Sequence, residues 1–379
     1  MKKPVFSLLL LLVLTALPAT TFTSRSLLFA DSYMLRAKGS EANYWNPALL
    51  NELDRDFWLP VLNLGVYATN NSFDLALYNH IMDRDFLTEV DKQMILDAID
   101  GKETFGLGVN MGLFGFTMGK LALSSSVQVG MRGSLSEEYL ELLLMGNGDG
   151  SQVYEFTEEE NYLEALGHTD LTLGVGDIQL PLPADLAPLR FGASASLLGG
   201  IGNAYTEEFY GRFSTSLEEG LGLEQNVTLR TGLAGYGFKG MLGVAWDPIE
   251  NLSAGLTLDN IFGFINWQME TKDYTYRASV DSVYIADLGE DLEDIFTEES
   301  AEIEIDPYST KLPPEMRLAA MYRLPFASVS ADFVQGFGNS VNVNKQARVS
   351  LGAEFLPVAM LPLYLGFGTG HADYPWRVS

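Results

Sequence analysis

The sequence predicts an all-β protein, an antiparallel transmembrane β-barrel of about 14 strands, and three observations carry that expectation. Apolar residues alternate with small or polar ones through most of the chain. No stretch after the N-terminus is apolar for long enough to span a bilayer as a helix, which takes roughly 20 residues. The first residues read as an export signal.

That leader is Met1-Lys2-Lys3, an apolar core over residues 4–17, then Pro18-Ala19 and a polar run to Ser24. A short basic start, an apolar core and small residues describe a Sec signal peptide over residues 1–24, with Ala19 and Ala30 both candidate cleavage points. A retained membrane anchor is the other reading; the core is short for it and no basic flank follows. Cysteine is absent, which excludes a disulfide scaffold. A closed barrel needs none, because closure pairs every strand. The net charge of −27 becomes more negative once Lys2 and Lys3 leave with the leader. Nucleic-acid binding rests on Lys and Arg neutralising phosphates, so such partners are excluded.

Period-two alternation is clearest at residues 105–113, where every odd position is apolar and every even one is Gly or Asn. It returns at 121–131, 171–175, 189–197, 252–258, 327–333, 347–355 and 363–367, and more weakly at 59–68, 227–234, 238–246, 274–284 and 316–323. Successive side chains of a strand point to opposite faces, so each segment has one apolar and one small or polar face. A soluble sandwich would alternate too. Segment lengths of about 8–11 residues suit tilted membrane strands. The second face is rich in Gly, Ser, Thr and Ala, with charge collected between strands.

Three stretches read otherwise. Residues 72–100 carry apolar positions at helical spacing, with Thr88 and Asp91 placed as an N-terminal capping pair. Residues 137–167 mix a helical run with acidic positions, and residues 281–306 are densely acidic with no Lys or Arg. All three are expected to be extra-membrane loops or lumenal inserts. Residues 374–379 read as the start of a strand, which suggests a C-terminal truncation or an edge covered by the N-terminus.

Residues 32–50, SYMLRAKGSEANYWNPALL, resemble the opening of the FadL-like outer-membrane group, with Asn46, Pro47 and Ala48 as the matching motif behind Trp45. Asn71-Ser72-Phe73, the helical residues 88–99, Gly146-Asn147 and LTLDNIFGFINWQ at 256–268 are similar to the DUF5723 family within that group. The resemblance implies a hatch folded into the barrel from residues 25–58, with Trp45, Asn46, Pro47 and Ala48 at its centre, and a barrel over 59–379. It also implies passage of apolar molecules, although no carboxylate-binding site transfers residue by residue and some relatives serve secretion machines.

Catalytic and metal motifs are weak. Gly235, Gly237 and Gly240 satisfy G-x-G-x-x-G, but a strand follows where a dinucleotide fold needs a helix, so a Gly-rich hairpin turn is expected. Asn147, Asp149, Ser151 and Glu158 have calcium-loop spacing, yet Gln152 stands where that loop needs Gly. Carboxylates at 290–304 suit a solvated loop, with divalent cations as the other reading. His80, His168 and His371 lack zinc-site spacing, and no G-x-S-x-G marks a nucleophile. Neither an enzyme nor a cofactor is expected. Trp45, Trp58, Trp246, Trp267 and Trp376 suit interfacial girdles, with core packing as the alternative.

These observations lead to an outer-membrane barrel in contact with lipid, binding or transporting an apolar or amphipathic small molecule. Because its pore-facing set reads as small and weakly charged, an apolar lumenal pocket is expected. The alternative is a structural or secretion-associated protein whose acidic loops dock a protein partner.

Overall fold

The computed structural model describes residues 24–51, 55–58, 64–84, 86–147, 152–183, 186–216, 220–283, 297–356, 362–371 and 374–378. Apart from Ser24, the leader lies outside the described residues.

Seventeen segments join in one antiparallel sheet. β1 (Arg55–Trp58) and β2 (Leu64–Asn70) both lie along β3 (Lys102–Met118), which pairs with β4 (Leu121–Ser136). β4 pairs with β6 (Tyr162–Leu180), and β5 (Val153–Phe156) continues β6 along β7 (Leu189–Ser216). Next comes β8 (Gly220–Ile249), whose far edge carries β9 (Leu252–Asp259) and then β10 (Gly263–Val283). Along that pair run β11 (Thr297–Glu304), β12 (Tyr308–Leu312) and β13 (Glu315–Leu324). β14 (Ala327–Gly336), β15 (Arg348–Phe355), β16 (Leu363–His371) and β17 (Tyr374–Val378) follow as successive hairpins.

Collinear segments place the described sheet on twelve strand paths, because β1–β2, β5–β6, β9–β10 and β11–β12–β13 are each one path with breaks. The alternating stretches 227–234 and 238–246, separate in the sequence pattern, are parts of the single strand β8. Asn260 sits in the left-handed region (φ 53°) at the β9–β10 break. Asp177 (φ 48°) and Glu270 (φ 48°) do so at register shifts inside β6 and β10. One extra residue at such a bulge bends the strand.

The two faces of the sheet settle the environment. On β6, Leu171 and Leu173 point outward, Leu173 60% exposed, while His168, Asp170 and Thr172 point inward and are buried. On β15, Val349 and Leu351 are exposed while Arg348 and Ser350 are buried. Apolar outside and polar inside reverses the order of a water-soluble sandwich and matches a barrel whose exterior meets hydrocarbon. Among the described residues no helix is long and apolar enough to cross a membrane.

What the sheet encloses is residues 24–51. Asn43 hydrogen-bonds Ser124 on β4, Asn46 bonds Val244 on β8, Ser32 bonds Asp332 on β14, and Phe29 packs edge-on to Tyr364 of β16. One short segment reaches strands so far apart in the sheet order only because the sheet curls around it.

Short turns join β3–β4, β8–β9 and β13–β14 at one end, and the long β2–β3, β4–β6 and β14–β15 connections leave the other. β7 and β8, of 28 and 30 residues, exceed the roughly 9–11 that a membrane strand needs. Their surplus rises beyond the long-loop end with β10 and β11. The acidic stretch 281–306 is therefore not all loop: residues 284–296 lie outside the described set, but β11 is a strand exposed at every position. Backbone pairing to residues 272–279 of β10 holds it extended despite its charge. Likewise, among the described residues of 137–167, the helix covers Glu137–Met145, and β5 and the start of β6 follow as strands.

At the same end, α1 (Leu75–Met82), α2 (Glu89–Asp97) and α3 (Glu137–Met145) pack around Ile95, Leu96, Ile99, Leu140 and Leu144. The capping box at α2 is formed: Thr88 Oγ1 accepts from the Asp91 N–H and Asp91 accepts from the Thr88 N–H. The Thr88 hydroxyl, then the Thr88 N–H, then His80 hold the Asp91 carboxyl well below its ordinary value.

Two outcomes follow. Leu173→Arg should destabilise the barrel by up to about 2–4 kcal/mol, the cost of a cation on the lipid face, read from urea unfolding in bilayers. Because the Asp91 pKa is depressed on folding, its contribution is present above the unfolded carboxylate value and is lost as pH falls through the lower folded one. Amide protection in α2, taken relative to the intrinsic exchange rate at each pH, should therefore hold steady from pH 7 to 5 and fall only in strong acid, and Asp91→Asn should abolish that acid-dependent step.

Candidate functional site

Inside the barrel, residues 24–51 fold as short turns: helical at Ser24–Leu27 and Ala42–Trp45, and of the tighter 3-10 kind at Met34–Arg36, Gly39–Glu41 and Pro47–Leu49. The Asn46 side chain caps the last of these, accepting from the Ala48 N–H at 3.0 Å, while Pro47 fills the first position, where no N–H is needed. The Asn46 amide then donates to the Val244 carbonyl at 3.0 Å. The wall here is bare. A Cβ at Gly176 or Gly192 would overlap the Pro47 backbone, and one at Gly243 would overlap the Asn46 carboxamide. Glycines on β6, β7 and β8 thus let the Asn46-Pro47 turn lie flat against the barrel wall.

Two polar clusters fix the segment on opposite sides. Towards β4, β6 and β7, Tyr44 donates to Asp170 at 2.8 Å, Asn43 donates to Ser124 at 2.9 Å, and Ser194 donates to the Asn43 carbonyl at 3.1 Å. Ser126 and Thr172 also donate to Asp170, so this buried carboxylate has no lack of donors. Towards β13–β15, Asp332 accepts from the Ser32 hydroxyl at 2.9 Å and the Met34 N–H at 3.3 Å. Arg317 lies 3.8 Å from Asp332, donates to the Asp31 carbonyl, and places its guanidinium 4.6 Å from the centre of the Trp45 ring. Glu315 joins Arg317 and Arg348 at 3.4 and 2.9 Å. Removing one partner from such a buried cluster strands the other charge and costs about 3–5 kcal/mol.

This lumen is more highly charged than the alternation suggests. Lys239, Asp170, Glu315, Arg317, Asp332 and Arg348 all occupy inward positions on the strands, and the small weakly charged face expected from composition is confined to stretches such as Ser124, Ser194 and Ser196. The charges were hidden because most pair with residues of neighbouring strands, as Arg317 on β13 does with Asp332 on β14, and a single strand does not show its register with the next.

Beyond the segment, towards the long-loop end, lies a cavity of about 80 Å³. Tyr44 and Trp45 form its floor. Ser340, Asn342 and Val343, from the loop between β14 and β15, close over it. Its walls mix His168, Gln128, Lys239 and Glu315 with Leu166, Met241 and Leu312. The pocket is amphipathic in place of the apolar one expected.

Trp267 is fully buried among Gly200, Gly232 and Gly235 and donates its indole N–H to Thr310 at 2.9 Å. The glycines of G-x-G-x-x-G thus lie within strand β8, not at a hairpin turn: Gly235 makes room for an indole from the next strand. Trp45 and Trp267 are interior, contrary to a girdle role, while Trp246 bonds the Ala187 carbonyl near the short-turn end.

The calcium-loop spacing is not assembled among the described residues. Asp149 and Ser151 lie outside them, Asn147 donates to Thr215, and Glu158 is exposed in a turn. Of the carboxylates at 290–304, those on β11 are solvent-facing and Glu302 pairs with Lys272 at 2.5 Å. No group of three His, Asp or Glu side chains placed to hold a metal ion occurs among the described residues. His80 pairs with Asp91, and His168 lines the cavity. Sequence reasoning missed Asn110, Gln128, Arg317 and Asp332; their signal was a polar residue at the inward phase of an alternating strand.

Residues 47–365 match the family described as "Family of unknown function (DUF5723)". The chain belongs to this family. Two crystal structures of the toluene transporter TodX from Pseudomonas putida are similar to this DUF5723 member at 10% identity. One covers 88% of the chain and 80% of its own length with a TM-score of 0.42, the other 81% and 73% with a TM-score of 0.35. No curated protein matches it.

Gly192→Val should push the Asn46-Pro47 turn off the wall. The chain has no native cysteine, so an Ala48→Cys reporter gives a clean readout. Maleimide labelling should be slow in the Ala48→Cys protein and at least about tenfold faster when Gly192→Val is added, as a buried site becomes open.

Proposed function

We propose that this DUF5723 protein is an outer-membrane barrel that binds an amphipathic small molecule and passes it across the membrane, with residues 25–51, the enclosed part of the 25–58 segment, acting as its hatch. The observation that carries this reading is the cavity between Tyr44-Trp45 and the β14–β15 loop, whose walls offer both apolar and polar groups. A dedicated ligand site of this kind is concave and largely apolar, with a few placed polar groups. An open ion pore would need a continuous polar path, and here the buried N-terminal segment stands across the lumen. The short-turn end, beside the segment, faces the periplasm and the long loops face outward, as in outer-membrane barrels generally. On this reading a ligand enters from the loop side and leaves when the hatch loosens from one of its two polar clusters.

The acidic strands that rise past the membrane favour a second reading, a docking platform for a basic partner protein. β11 is exposed along its whole length and has no basic residue.

Uptake of the neutral dye N-phenyl-1-naphthylamine by cells expressing the protein separates the two. The transport reading expects faster dye entry than in cells lacking it, and expects Asp332→Ala to change that rate at least about threefold by freeing the hatch. Unchanged entry with folded, heat-modifiable barrel in the membrane, and a stoichiometric co-purifying protein, would move the assignment to docking.

A further inference from the structure

The strand register builds a row of inward residues at one level of the lumen. Asn110 on β3 pairs with Gln128 on β4, Gln128 with His168 on β6, His168 with Gly200 on β7, and Gly200 with Gly235 on β8. The row continues from Gly235 to Trp267 on β10 and on to Tyr308 on β12. On its first side stand three hydrogen-bonding side chains in succession; on its second, glycines admit an indole. Asn110, Gln128 and His168 all line the cavity, and Trp45 forms part of its floor.

Three residues that line this cavity, each more than nine-tenths buried, carry a polar atom without a hydrogen-bond partner in the protein: Trp45 Nε1, Gln128 Nε2 and His168 Nδ1. Buried polar groups are satisfied in nearly all cases, and a buried group left unmet destabilises the fold. Three around one cavity therefore point to an occupant. Its chemistry follows from theirs. An indole N–H and a carboxamide N–H can only donate, and an imidazole Nδ1 donates or accepts according to tautomer. The occupant must present an oxygen with free lone pairs.

That oxygen is uncharged. The cations of the cavity already face carboxylates, Lys239 at 4.0 Å from Asp259 and Arg317 at 3.4 Å from Glu315, and those carboxylates would repel an anion. Leu166, Met241 and Leu312 offer the rest of the molecule an apolar wall. We infer that Trp45, Gln128 and His168 form a binding site for the carbonyl or hydroxyl oxygen of a neutral amphipathic molecule. This rests on the proposed transport reading for its biological use, but the site itself is testable without transport.

The experiment titrates the 15N-labelled full-length barrel in lipid nanodiscs with four six-carbon probes: hexan-2-one, hexan-1-ol, hexanoate and hexane. The five indole N–H signals are assigned by single Trp→Phe variants. The ketone and the alcohol are expected to shift the Trp45 indole N–H and the His168 ring nitrogens, hexane to leave them in place, and hexanoate to bind at least about tenfold more weakly than the ketone. Gln128→Leu should weaken ketone binding about tenfold. Trp45→Phe, which keeps a ring against Arg317, should do the same when read at His168. If neither ketone nor alcohol moves these signals in a barrel with dispersed resonances, water alone satisfies the row and the inference is overturned. Tightest binding by hexanoate overturns it too. Binding of the ketone without dye uptake in cells would keep the site and remove transport; uptake without ketone binding would do the reverse.

Discussion

In hydrocarbon a backbone N–H or C=O without a partner costs several kcal/mol, and this architecture is arranged around that constraint. Among the described residues each strand between the two edges of the sheet, β1–β2 and β17, pairs antiparallel on both sides, and where a path breaks, as at Asn260 between β9 and β10, the next segment resumes pairing with the same neighbour. The breaks bend the wall without leaving it. With the backbone satisfied by the sheet, side chains are free to sort by medium, apolar towards lipid and polar towards the interior.

An interior that is polar must itself be filled, and residues 24–51 fill it. They are held by hydroxyls, carboxylates and guanidinium groups in place of an apolar core. Among the described residues, a cluster around Met34, Trp45 and Met321 and a smaller one around Ala42 and Leu50 resemble the inside of a soluble protein. Directional bonds of this kind fix position closely, but each is worth only about 1 kcal/mol net when water can replace it. A plug so built is well placed when dry and loosens as solvent reaches it, which suits the hatch role proposed for it. Glycines opposite Asn46 and Pro47 add the shape match that polar contacts alone lack.

Much of this was legible in the sequence. Alternation at 105–113 and 121–131 gave β3 and β4 with both faces assigned, and the Thr88–Asp91 pair located the start of α2. Three things were not. The length of β8 was hidden because Gly235 to Gly240 reads as a turn when only one strand is in view; its role appears once Trp267 from β10 lies over it. The strand β11 was hidden because its alternation is carried by carboxylates, exposed on both faces. The lumenal clusters were hidden because Arg317 and Asp332, or Gln128 and His168, are recognisable as neighbours only after register is known. A single chain shows the phase of each strand and not its offset from the next.

The sequence distance spanned by the lumenal contacts has a consequence for assembly. Ser32 bonds Asp332, 300 positions later, and Arg36 reaches Glu354, 318 positions later. The segment made first cannot be seated until the strands made last are in place, and contacts of such long range form slowly. Until then the small, partly apolar stretch around Met34 and Trp45 has no wall to rest on. The order of synthesis and the order of completion therefore run in opposite directions, and the growing barrel must keep its mouth open to its own N-terminus until β13–β15 arrive.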